Sequence, residues 1–179
     1  MLTLRFKKTL DADATLTLIR PDGSTAWAPI GSAEGFGPMY DLAHVVVERQ
    51  LMLADAFLGC VARGASFADF GEGAAARIGP DAVRAEAVAN LLSLEAITNR
   101  RLTLTAFNDA VGEKCAAMRP GYHAPDLTPT GLHALRTELA SLRRDWEALD
   151  AGATLELQFG REDSSAEPSA HASGTAARR

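Results

Sequence analysis

A chain of 179 residues, 47% hydrophobic and 23% charged, suits one domain with a core of its own. Its formal net charge of -5, with only three lysines among eighteen cations, provides no clustered basic footprint and argues against nucleic-acid binding. No stretch is long and apolar enough for a membrane span and "MLTLRFKKTL" lacks the apolar centre of a secretory signal, so a cytoplasmic location is expected.

The first thirty residues read as strands. "LTLRF" and "ATLTLIR" alternate, and "STAWAPI" follows the turn signal "PDG", with Pro29 ending the third strand or placing it on an edge. The glycine-rich "GSAEGFGP" leads into the first helix, a position suited to an anion. It lacks the Gly-Lys-Ser/Thr ending of a Walker loop, and "GEGAAARIG" is no dinucleotide fingerprint. Four helical patterns follow: about Pro38 to Ala62, Asp81 to Thr98, Thr103 to just before Pro120, and Thr128 or Thr130 to just before Gly152. "ATLELQFG" then alternates as a last strand. From Arg161 the Ser/Ala-rich composition cannot bury enough surface to order itself, so residues 161–179, including His171, are expected to be a disordered tail behind a domain of residues 1–160. Strands at the ends with helices between them predict an α+β fold: a small antiparallel sheet, made of the N-terminal strands and the C-terminal one, packed against about four helices.

The first helix poses the functional question. It is apolar nearly all round, the mark of a buried helix, yet Asp41, His44, Glu48 and Asp55 fall within about 60° of one face at roughly 100° per residue. Charged groups in a dry interior must be paired, so this stripe should face a cleft or partners on another element. Two chemistries fit. Asp41, His44 and Glu48 could converge on one cation, although a metal would need ligands from elsewhere. Alternatively a carboxylate could orient His44 as a general base. The structural readings are equally concrete: Asp41 as helix N-cap, His44 with Glu48 as a buried pair, and Asp55 paired with Arg63 or Arg49.

Other elements could complete the site. Glu86 and Asn90 lie beside the apolar face of the second helix, and one of them is predicted to reach the His44 stripe. Asn108 and Asp109 on the third helix and His123 in a loop are weaker candidates. Serine hydrolysis has no nucleophile-elbow context, and Cys60 and Cys115 read as reduced, buried small hydrophobes. On the fourth helix Leu132, Leu135, Leu139, Leu142 and Trp146 repeat at three and four. That seam is either a core face or a homodimer interface, and the core reading is favoured.

The stretch "YDLAHVVVERQLMLADAFLGCVARGASFADF" resembles a family of uncharacterised bacterial proteins whose first helix reads His-Asp-Leu-x-His-x-x-Val-Glu and is followed by a Gly-Leu-Val-Ala-x-Gly stretch. The likeness covers residues 37–70, with weaker echoes at 142–159. It implies a site at Asp41, His44 and Glu48 and carries no activity or cofactor. Tyr40 stands where the motif has its first histidine, and that departure weakens a metal site needing two imidazoles. The expected function is a non-catalytic domain whose Asp-His-Glu centre organises the core or binds a ligand or partner. The alternatives are a metal-dependent or His/carboxylate hydrolase centred on His44, and a homodimeric assembly module.

Overall fold

The computed structural model describes residues 1–9, 14–30, 38–70 and 79–160. The tail beyond residue 160 and most of both glycine-rich stretches lie outside the described residues. Four strands, β1 (Leu2–Lys8), β2 (Ala14–Ile19), β3 (Thr25–Ile30) and β4 (Thr154–Phe159), form one antiparallel sheet in the order β3-β2-β1-β4. The period-2 pattern sorts its two faces. Leu2, Leu4, Phe6, Leu16, Leu18 and Phe159 are buried on one side, whereas Arg5 pairs with Glu156 at 2.7 Å on the other. The "PDG" segment turns as its composition dictates: Gly23 takes φ +82 and donates to the Arg20 carbonyl, while the Asp22 carboxylate accepts from the Ser24 amide at 2.9 Å. The fold is α+β, with Pro29 on edge strand β3.

Between β3 and β4 run α1 (Pro38–Gln50), α2 (Phe57–Ala62), a 3-10 turn (Phe67–Phe70), α3 (Pro80–Thr98), α4 (Leu104–Met118) and α5 (Pro129–Glu147). Capping residues set several boundaries. Thr103 and Thr128 accept from the amides of Ala106 and Gly131, and Pro80 and Pro129 occupy first-turn positions where no amide is needed.

The first helical pattern does not run unbroken to Ala62. Met52 adopts a left-handed conformation, φ +53; its amide bonds to the Arg49 carbonyl and that of Leu53 to the Glu48 carbonyl at 2.9 Å. This is a Schellman ending with methionine where glycine is usual. The chain re-enters a helix at Phe57, and α2 ends the same way at Gly64. Arg20, just past the end of β2, then holds the α2 carboxyl end, donating to the carbonyls of Val61 at 2.7 Å and Ala65 at 2.6 Å.

The leucine seam of α5 is core. Leu132, Leu135, Leu139, Leu142 and Trp146 are all buried within one chain, so a homodimer through this face would require α5 to leave its own domain. Lys8 fixes the helix end by donating to the Leu149 carbonyl at 2.8 Å, with its ammonium 5.6 Å from the Trp146 ring centre.

Two glycines test this packing. A β-carbon on Gly59 of α2 would collide with the Ala54 backbone carbonyl, whereas one on Gly112 of α4 would meet nothing within 4 Å. Gly59→Ala is therefore expected to destabilise by about 1–3 kcal/mol, and Gly112→Ala to stabilise by about 0.5–1 kcal/mol through helix propensity. Thermal melts of the two variants check both signs.

Candidate functional site

The polar stripe of α1 closes on itself and on its neighbours. The His44 imidazole is 12% exposed; its Nδ1 lies 3.3 Å from Oε1 of Glu48 and its Nε2 lies 3.5 Å from Oε2 of Glu86 on α3. Residue 48 is one turn further along α1, and its side chain is 0% exposed. Oε2 of Glu48 accepts from the Leu58 amide at 2.8 Å, in the first turn of α2. The carboxylate thus satisfies an amide that a helix start leaves without an intrahelical partner. Oε1 of Glu86 accepts from the Tyr40 hydroxyl, and the Tyr40 ring meets the His44 ring edge-on at 4.9 Å. The result is a continuous chain, Tyr40–Glu86–His44–Glu48–Leu58 amide, that joins α3, α1 and α2.

The ionisation follows this geometry. Burial works against charge on His44, but hydrogen bonds to Glu48 and Glu86, together with their negative charges, outweigh it and raise the imidazole to about 10. The residue is an imidazolium at neutral pH. Burial also pushes Glu86 up, yet the His44 and Tyr40 hydrogen bonds and the charges of His44 and Lys114 bring it below the ordinary glutamate range. Asp41 behaves differently. Burial raises its carboxyl to about 6, the His44 charge only partly offsetting this, and no side-chain hydrogen bond ties it to the other members.

Asp55 of the predicted stripe and Asn90, a candidate to complete it, stand apart. Asp55 is not on α1: it follows the helix break, its side chain is 76% exposed, and it pairs with Arg63 at 2.8 Å. Its amide donates to Asp81 at the start of α3, and it lines a cavity of about 390 Å³ with Cys60, Arg63, Gly79, Pro80 and Asp81. Asn90 lies one turn beyond Glu86 without a hydrogen bond to the centre; its carbonyl accepts from Ser93. Asn108 is used structurally, exchanging two 3.0 Å bonds with the Leu127 backbone. Cys115 is buried, and Cys60 is half-buried with its thiol beside Arg63.

A second buried charge pair has no counterpart among the sequence candidates. Glu95 of α3 receives Arg136 of α5 through two bonds of 2.6 and 2.8 Å and also accepts from the Leu102 amide at 2.7 Å. The guanidinium lies 5.7 Å from the Phe107 ring centre. Its signal was present: a lone glutamate inside "LLSLEAI" and an arginine bordering the α5 leucine seam.

Among the described residues, no group of three or more His, Cys, Asp and Glu is arranged to hold a metal ion. His44 directs both ring nitrogens at carboxylates, so neither offers a lone pair to a metal or a substrate proton in this arrangement. Comparison with protein families, curated proteins and solved structures gives no match for this chain.

Asp41 supplies a pH test. Its raised value means that the folded chain holds more protons than the unfolded chain between 3.8 and about 6, so its contribution to stability falls as pH rises through that window. Asp41→Asn removes this dependence. The variant is expected to melt higher than the parent above pH 6, with the difference vanishing towards pH 3.8. Parallel melting curves across the window would contradict the assigned environment.

Proposed function

We propose that this chain is a non-catalytic cytoplasmic domain in which the Tyr40–Glu86–His44–Glu48 centre organises the core. The observation carrying this reading is that the reactive valences of the centre are spent internally. Both His44 nitrogens face carboxylate oxygens, and the second oxygen of Glu48 caps α2. A general base needs a lone pair near neutral pH, and an imidazole raised to about 10 lacks one. The centre therefore resembles a structural ion network more than a hydrolase base, and the leucine face that would serve an assembly module is occupied by its own core. No helix among the described residues is long and apolar enough to cross a membrane.

Nitrogen NMR of His44 tests the proposal directly. Both ring nitrogens are expected to remain protonated through pH 8, with a titration midpoint near 10. His44→Ala, which strands two carboxylates, should cost about 3–5 kcal/mol of stability. A midpoint near 6.5, or a variant that melts with the parent, would return His44 to the list of catalytic candidates.

A further inference from the structure

The two edges of the sheet differ in how they are guarded. Edge strand β4 carries Glu156, and Arg49 of α1 donates to the Gln158 carbonyl at 3.4 Å while its guanidinium is ion-paired with Glu138. A charge and a covering side chain of this kind hinder a foreign strand. Edge strand β3 has neither among the described residues. Thr25–Ile30 holds no charged residue, and its backbone bonds to no described element but β2. The 3-10 turn Phe67–Phe70 comes near β3 without a hydrogen bond to it. One side of β3 therefore keeps amides and carbonyls without a hydrogen-bond partner. Pro29 guards one end by removing a single donor. Trp27 stands in the middle of the strand and is 66% exposed. Ala26, Ala28 and Ile30 are in register with the buried Leu18, Leu16 and Ala14, so Trp27 lies on the outer sheet face. There Thr17 of β2 is its cross-strand neighbour, and no described strand flanks its other side.

We propose that β3 is a dimer edge: two copies of this chain pair their β3 strands antiparallel about a twofold axis at Trp27, joining both sheets into one. With the axis there, residue 26 of each copy faces residue 28 of the other and residue 25 faces residue 29. No charge meets a like charge in that ladder, because the strand has none. The two exposed indoles fall directly opposite each other on the outer face and shield one another, an aromatic cross-strand pair. A second copy also presents a strand already held straight by its own sheet, whereas a free peptide would have to be ordered on binding. Stacking β3 of one copy on β4 of the next would build an open filament, and Glu156 and Arg49 stand against it. A six-residue strand spans about 20 Å, so the interface belongs to the small, weak class and the dimer exchanges with monomer.

Sedimentation velocity of the full chain over a wide concentration range tests this, with a monomer–dimer equilibrium expected. Trp27→Lys places like charges across the axis and should weaken the dimer about tenfold or more. Trp27 is exposed, so that variant should melt with the parent; Thr25→Lys, at an exposed position facing Pro29 across the axis, reads the same edge independently. Thr154→Lys, exposed on β4, should dimerise as the parent does. Amide hydrogen exchange locates the contact: β3 amides are expected to slow as the chain is concentrated, and β4 amides are not. A monomer at every concentration, a dimer that survives both β3 variants, or one that Thr154→Lys abolishes overturns the proposal. Slowing of β3 only when a synthetic Thr25–Ile30 peptide is added, with the chain still monomeric, overturns it too and gives the edge to extended peptides.

Discussion

The imidazolium of His44, held between a carboxylate of its own helix and one of a neighbouring helix, is the constraint around which the helical layer is arranged. Apolar contacts between α1 and α3 are non-directional, and many small slides would bury comparable area. The charged contact is not tolerant in this way. Moving α1 by one residue would turn His44 through about 100° and leave Glu86 without its partner. Glu48 sharpens the constraint because it acts twice at one junction. Its backbone carbonyl accepts the Leu53 amide that closes α1, and its side chain accepts the Leu58 amide that opens α2. One residue therefore sets where the first helix ends and the angle at which the next begins.

The composition of α3 shows why such ties matter here. Its buried surface includes Ala82, Ala85, Ala87 and Ala89. Alanines let neighbouring helices approach closely but present few knobs to lock a register. Two carboxylates supply what shape does not: Glu86 fixes α3 to α1, and Glu95 fixes it to α5 through Arg136. Buried ion pairs add little net stability over well-packed apolar residues of the same size. Their contribution here is specification of geometry, with one pair at the contact of α3 with α1 and one at its contact with α5.

Much of the fold was legible because it rests on periodicity. Alternation marked β1, β2 and β4, "PDG" marked the hairpin turn and the strand after it, and threonines at the helix starts marked α4 and α5. The failure at Met52 has a physical cause. "VERQLMLADAF" keeps an apolar pattern across the break, and a left-handed methionine carries none of the warning that a glycine would. Asp55 was placed with the stripe by that same error, since the angular argument holds only along an unbroken helix. Within α1 the angles held, and Asp41, His44 and Glu48 share a face that looks inward. What spacing could not show was the destination of each group. The partner of Glu48 is a backbone amide, which has no side-chain signature, and the Glu95–Arg136 pair joins residues forty-one positions apart.

Residue type and spacing also fail to separate a face that is closed from one that is open, and α5 and α3 illustrate the difference. The α5 leucines have the cleaner repeat, yet the chain covers them itself: Arg136 clamps Glu95, and Arg143 donates to the Ala96 carbonyl at 2.6 Å, so α5 lies along α3 with its seam inward. The same clamps explain why Leu94 and Ile97 stay uncovered. Arg136 and Arg143 draw α5 to Glu95 and Ala96, on a different side of α3, and the Leu102 amide turns back to Glu95 instead of crossing the open side. The polar ties that close the core thus also determine which apolar side chains remain outside it. Coverage, unlike periodicity, depends on these long-range polar contacts, and Leu94 and Ile97 stay exposed because the ties are made on other sides of the helix.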